Sequence, residues 1–163
     1  MGNVWEIKDV GESEYFLGTR VQQDLMAGTI RLIQRPYWQH VINRFDLSHI
    51  PLRNTPLPVG LNLDNNMCPH TDTERQKMSD KPYRAVLGSV MWGQLATRPD
   101  LSFAVLLLSW FQSNPGIEHW KALMHVIGYV RNTLDYGLTY NCDADLTPIA
   151  FVDSDYGGCR DTH

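Results

Sequence analysis

The 163 residues suit one domain, or one domain and a piece of another, and 43% apolar with 20% charged residues is a globular composition. With 14 Lys+Arg against 18 Asp+Glu the net charge is −4, so no overall basic field advertises a nucleic-acid or membrane partner. No apolar stretch approaches the ~20 residues of a membrane helix, and the acidic start MGNVWEIKDVGESE has no signal-peptide core.

Phe16 to Gln23 and Thr29 to Ile33 are short runs rich in apolar and β-branched residues, with Asp24 to Gly28 between them. They predict a β-hairpin whose apolar side is Leu17, Val21, Ile30 and Leu32. Pro36 then opens a helix on which Trp38, Val41, Ile42 and Phe45 share a face. From Asp46 to His70 the periodicity vanishes among four prolines, which marks a linker or a wrapped loop.

Thr71-Asp72-Thr73-Glu74 reads as a capping box before a short polar helix. A longer helix follows from about Tyr83 to Ala96, with Val86, Leu87, Val90, Met91 and Leu95 in line. Arg98-Pro99 stops it, and Asp100 is expected to cap the next helix, which runs to about Gln112. That helix is apolar almost all round, so it is predicted to be central and most buried, Trp110 included. A third long helix spans Ile117 to about Leu134. Strands return at Leu138 to Tyr140 and Pro148 to Asp153.

Charge is unevenly placed along this order. Arg31, Arg35, Arg44 and Arg53 stand against Asp46 alone, whereas both ends of the chain are acidic. Cys68, Cys142 and Cys159 have no CxxC spacing, which argues against a disulfide framework or zinc site and for a reducing, intracellular compartment. His119 beside Trp120 is explained by packing at least as well as by nucleic-acid contact.

Glu14-Tyr15-Phe16-Leu17-Gly18, then Leu32-Ile33-Gln34 with Tyr37 following, resembles the primer-grip hairpin and first thumb helix of copia-type retrotransposon reverse transcriptases. Tyr83-Arg84, Leu87-Gly88-Ser89, Thr97-Arg98-Pro99-Asp100, Asn114-Pro115, His119-Trp120 and Tyr129 to Thr133 are similar to that family's thumb region. Phe151-Val152-Asp153-Ser154-Asp155 looks like the start of its ribonuclease H domain. The resemblance covers nearly the whole chain with spacing kept.

It implies an α+β fold, mostly α. Residues 1–35 would be a palm remnant with the primer-grip-like hairpin, and 36–136 a thumb-like helical region with a Pro-rich loop at 46–70. Residues 137–163 would be the truncated start of a ribonuclease H-like sheet. The implied partners are an RNA/DNA primer-template and the rest of the polyprotein, palm and ribonuclease H, with no membrane. Gly18, Arg31, Gln34 and Arg35 are the implied nucleic-acid contacts, although a bulge or tight packing explains Gly18 equally simply, and for the two arginines ordinary surface charge is the leading reading on this chain alone.

Asp153 is implied as one ribonuclease H metal ligand and catalytic carboxylate in a complete parent. In the isolated chain a solvated acid at a strand end is the simpler reading. The family's paired polymerase aspartates lie upstream of the matched region, and the chain has no Asp-Asp pair. No cofactor is expected in the fragment and Mg²⁺ in the parent, so the chain alone should be inactive. Two rival readings stand beside this one: an independent helical protein-interaction module, or a decayed reading frame. An exposed apolar seam favours fragment or decay, and a polar, closed surface favours the module.

Overall fold

Leu17 and Gly18 both have positive φ, 49° and 79°, the two-residue turn whose twist matches that of the strands it joins. In the computed structural model, described for residues 14–143, 145, 147, 149, 150 and 152, this turn links β1 (Tyr15–Phe16) to β2 (Thr19–Asp24). The expected bend follows, with Asp24 Oδ1 accepting from the N–H groups of Met26 and Ala27 at 3.0 and 2.9 Å. β3 (Thr29–Ile33) then runs back along β2.

A fourth strand, β4 (Gly137–Asn141), pairs antiparallel with β3, setting Leu138 opposite Leu32 and Tyr140 opposite Ile30. The sheet order is β1-β2-β3-β4. Residues 137–141, expected to begin a separate C-terminal sheet, are thus the last strand of the hairpin's own. Val21, Ile30 and Leu32 share one face by register, as expected. Leu17 does not join them, because it sits in the turn and is 65% exposed.

Five α-helices form the body among the described residues: α1 (Arg35–Arg44), α2 (Asp72–Met78), α3 (Tyr83–Thr97), α4 (Ser102–Ser109) and α5 (Ile117–Asn132). Trp38, Val86, Val90, Leu108, Leu123 and Ile127 are all essentially inaccessible and define the core. α2 starts with the expected capping box: Thr71 Oγ1 accepts from Glu74 N–H, and the Glu74 carboxylate accepts from Thr71 N–H. The N–H groups of His70 and Thr71, both donating to the Glu74 carboxylate, hold that carboxyl below its ordinary pKa.

Two helix expectations change. Asp100 does not cap α4; Pro99–Leu101 form a 3-10 turn first, and the Asp100 carboxylate turns to Arg98. Nor is α4 the most buried helix. Ala104, Val105 and Leu108 face the core, while Phe103, Leu106 and Trp110 are 71%, 55% and 55% exposed. Met91 and Leu95 on α3 also point outward. The helix sealed on most sides is α5, from Ala122 to Val130.

Residues 46–70 wrap onto α5 rather than link two units. Arg53 N–H donates to Gly128 O, Arg131 to Ile50 O, Asn132 to Arg53 O, and His125 Nε2 lies 3.1 Å from Thr55 O. Leu57, Leu61 and Leu63 pack partly against the core beneath. Much of the expected strand 148–153, with Asp153 and Asp155, lies outside the described residues. Ile149 and Val152 are described there, and are 76% and 94% exposed.

Candidate nucleic-acid interface

Strand register decides which hairpin side chains can act together. Arg20 opposes Ile33 and Gln22 opposes Arg31, so Arg20, Gln22 and Arg31 share one face of the sheet, with Thr139 of β4 opposite Arg31. Diagonal neighbours on such a face are ~7–8 Å apart, within reach of long side chains. Arg35, in the first turn of α1, follows the end of β3. Arg20, Arg31 and Arg35 are all exposed.

Both expected arginine contacts converge on one residue distant in sequence. Arg31 donates to the Asp135 carbonyl at 2.8 Å, and Arg35 pairs with the Asp135 carboxylate at 2.5 Å. The pair is half-exposed, at 47% and 64% of the side chains. An open groove of about 360 Å³ runs beside it, lined by Arg31, Arg98, Asp100, Tyr129, Asp135 and Tyr136. Gly18 lies in the turn that precedes Arg20, and a Cβ there would meet nothing within 4 Å. Its role is conformational, not a tight packing contact.

Gln34 faces inward. It is fully buried, and its Oε1 accepts from Thr97 Oγ1 at 2.8 Å. It thereby ties the end of the hairpin to the Thr97-Arg98-Pro99-Asp100 segment. Arg98, 1% exposed, donates to Asp100, to Thr133 O and to Thr133 Oγ1, and its guanidinium lies over the rings of Tyr129 and Tyr136. Tyr129 Oη donates to Asp100 at 2.9 Å. Burial alone would raise the Asp100 pKa, but the Arg98 guanidinium and Tyr129 hydroxyl outweigh it and hold the carboxyl below its ordinary value.

This cluster brings three distant motifs into one hydrogen-bonded unit, an arrangement open to comparison with known proteins. The chain is 33% identical to the retrovirus-related Pol polyprotein from transposon TNT 1-94 of Nicotiana tabacum, over 94% of this chain and 12% of that one. Several of the proteins it resembles are retrovirus-related Pol polyproteins of transposons. Another, from transposon RE2 of Arabidopsis thaliana, is 28% identical over 98% of this chain and 10% of its own length. An uncharacterized mitochondrial protein of the same plant is 29% identical over 99% of this chain and 63% of itself. The chain thus spans about an eighth of the tobacco Pol polyprotein, whose activity is a property of that longer protein. No family model and no solved structure matches.

Set beside these Pol relatives, the remaining candidate residues separate clearly. Asp153 lies outside the described residues. Among those described, no three His, Cys, Asp or Glu side chains converge as a metal ion would require. His119 is fully buried, stacked on Phe111 at 4.0 Å, and its Nδ1 accepts from Gly116 N–H at 2.9 Å. Sequence reasoning missed Arg20 and Asp135. Pairing register would have placed Arg20 beside Arg31, whereas no local signal connects Asp135 to residues 100 positions away.

Proposed function

We propose that this chain serves as part of a copia-type reverse transcriptase and ribonuclease H polyprotein, from the primer-grip hairpin through the thumb helices to the start of ribonuclease H. In that setting it positions the primer-template duplex by contacts to the sugar-phosphate backbone. The observation that carries the reading is the alignment with transposon Pol polyproteins over 94% and 98% of the chain. The geometry supports it: Arg20, Arg31 and Arg35 present guanidinium donors together, and phosphate contact needs donors and charge rather than base-reading side chains. Asp135 fixes two of them in place while leaving most of their five N–H groups unused.

Nucleotide transfer and RNA cleavage, with their Mg²⁺, belong in this reading to the longer polyprotein, where Asp153 would supply one metal-binding carboxylate. The chain holds no Asp-Asp pair and is expected to extend no primer. Exposed apolar side chains on α3 and α4 call for a protein partner in either setting, within the polyprotein or alone.

Binding of a labelled RNA/DNA hybrid, followed by anisotropy across a salt series, tests the proposal. Affinity should be weak, indifferent to sequence and lower at higher salt. Replacing both Arg31 and Arg35 with alanine should weaken it uniformly and reduce the salt slope by about two, one for each guanidinium withdrawn from a phosphate. Unchanged affinity and slope would remove the hairpin from the interface.

A further inference from the structure

α3 and α4 lie antiparallel with their outer sides together. Arg84, at the start of α3, donates to the carbonyls of Gln112 and Ser113 just past α4, at 2.6 and 3.2 Å. Gln94, near the end of α3, donates to Ser102 Oγ at the start of α4, at 2.8 Å. The exposed stripes of the two helices therefore make one face: Met91, Trp92 and Leu95 from α3, Phe103 and Leu106 from α4 and Trp110 just past its end, each 36–75% exposed.

No charged residue occurs from Ala85 to Thr97 or from Leu101 to Ile117. Arg84 stands at one end of this face with its guanidinium committed to the Gln112 and Ser113 carbonyls; the rest of the face carries no cation for a phosphate backbone and suits apolar protein surface. On the scale of ~150–250 Å² per aromatic side chain, these six residues present roughly 700 Å². The largest apolar patch of a typical monomer is ~300–600 Å².

We propose that this face is a homodimer interface, covered by the same face of a second copy of this chain packed about a two-fold axis. The area is the first argument. Counted on both partners it reaches about 1,400 Å², inside the ~1,200–2,000 Å² of stable specific interfaces. Composition is the second. Trp92, Trp110 and Phe103 are the large rings that anchor interface centres, and a face whose only charge is Arg84 at one end, held on carbonyls, meets its own copy with little like-charge repulsion.

Relief is the third argument. Gly88 stands on the same exposed stripe one turn before Trp92, and a Cβ there would meet nothing within 4 Å. A notch and protruding rings on one face supply both halves of the self-complementary contact that a two-fold interface requires. The Pol relatives are long, but the mitochondrial relative is short, with 63% of its length matched. A second copy is a partner available in either setting.

The inference does not depend on whether the hairpin binds nucleic acid, and its test reads mass instead. Sedimentation equilibrium of the full chain, from low to high micromolar, should show a concentration-dependent shift from one copy to two. Tryptophan emission should move to shorter wavelength as Trp92 and Trp110 leave water. Leu106→Glu should weaken association at least ~10-fold, equivalent to ~1.4 kcal/mol. Gly88→Leu fills the notch in open space, so it should weaken the dimer equally while leaving the monomer's melting temperature intact or higher. A single-copy mass at every concentration would overturn the proposal, as would growth beyond two copies. So would dimerisation that both variants leave untouched.

Discussion

Arg98 satisfies its guanidinium within the fold, where it is 1% exposed. Lysine keeps the charge but loses the planar fork and the stacking on Tyr129 and Tyr136. Arg98→Lys should therefore cost roughly 2–4 kcal/mol, below the ~3–5 kcal/mol for removing one partner of a buried ion pair because the charge stays, read as a lower melting temperature in a thermal scan. His119 gives a pH signature. Burial pushes its pKa below the ordinary imidazole value, with the Asp64 backbone and Glu118 opposing. The unfolded chain, titrating near ~6.5, takes up its proton first. Stability is then full above that value and falls as pH drops below it towards the folded value. Melting temperatures at about pH 7.5 and about pH 5.5 should differ in the parent chain, and His119→Gln should shrink that difference while lowering the pH 7.5 value. Gln34 shows where residue-level reading stops. A polar side chain in a basic stretch reads as surface, and only Thr97, 63 residues on, reveals it as a buried strut.

Elements with a local signature were legible. The capping box of α2 and the proline start of α1 are written in consecutive residues, and both helices begin as those residues dictate. α4 was misread because an all-round apolar helix states only that both sides avoid water. It does not say that one side is left for a partner outside the fold. The wrapped loop packs directly on residues without a side chain, Gly128 among them. A Cβ on Gly128 would lie 2.3 Å from Pro51 O, so the loop backbone would have to move. Alanine normally gains ~1 kcal/mol over glycine inside a helix, while overpacking costs ~1–3 kcal/mol. Gly128→Ala should come out net destabilising by about 1 kcal/mol, and limited proteolysis should cut faster within residues 51–58 than in the parent chain.

At the scale of the molecule, the C-terminal boundary is set by pairing, not composition. β4 is stitched to β3 along its full length, whereas Ile149 and Val152 lie largely in water. A chain ending at residue 147 should therefore keep its melting temperature within a few degrees. One ending at residue 136 should lose far more, since it strips β3 of a neighbour and leaves Leu32 and Ile33 uncovered. Equal losses from both truncations would mean that residues 148–163 carry stability of their own. Sequence periodicity found β4 but not its partner, because pairing between strands so far apart leaves no local trace.

That long-range pairing also orders events during synthesis. The hairpin leaves the ribosome before α5 and β4, and Arg31 and Arg35 find Asp135 only after a further 104 and 100 residues have been made. At ~5–20 residues per second the wait is roughly 5–20 s. Throughout it the β3 edge has unpaired N–H and C=O groups, the state in which strands recruit wrong neighbours. Arrested nascent chains should therefore stay protease-sensitive at the hairpin until Asn141 has cleared the exit tunnel, and then become protected in one step.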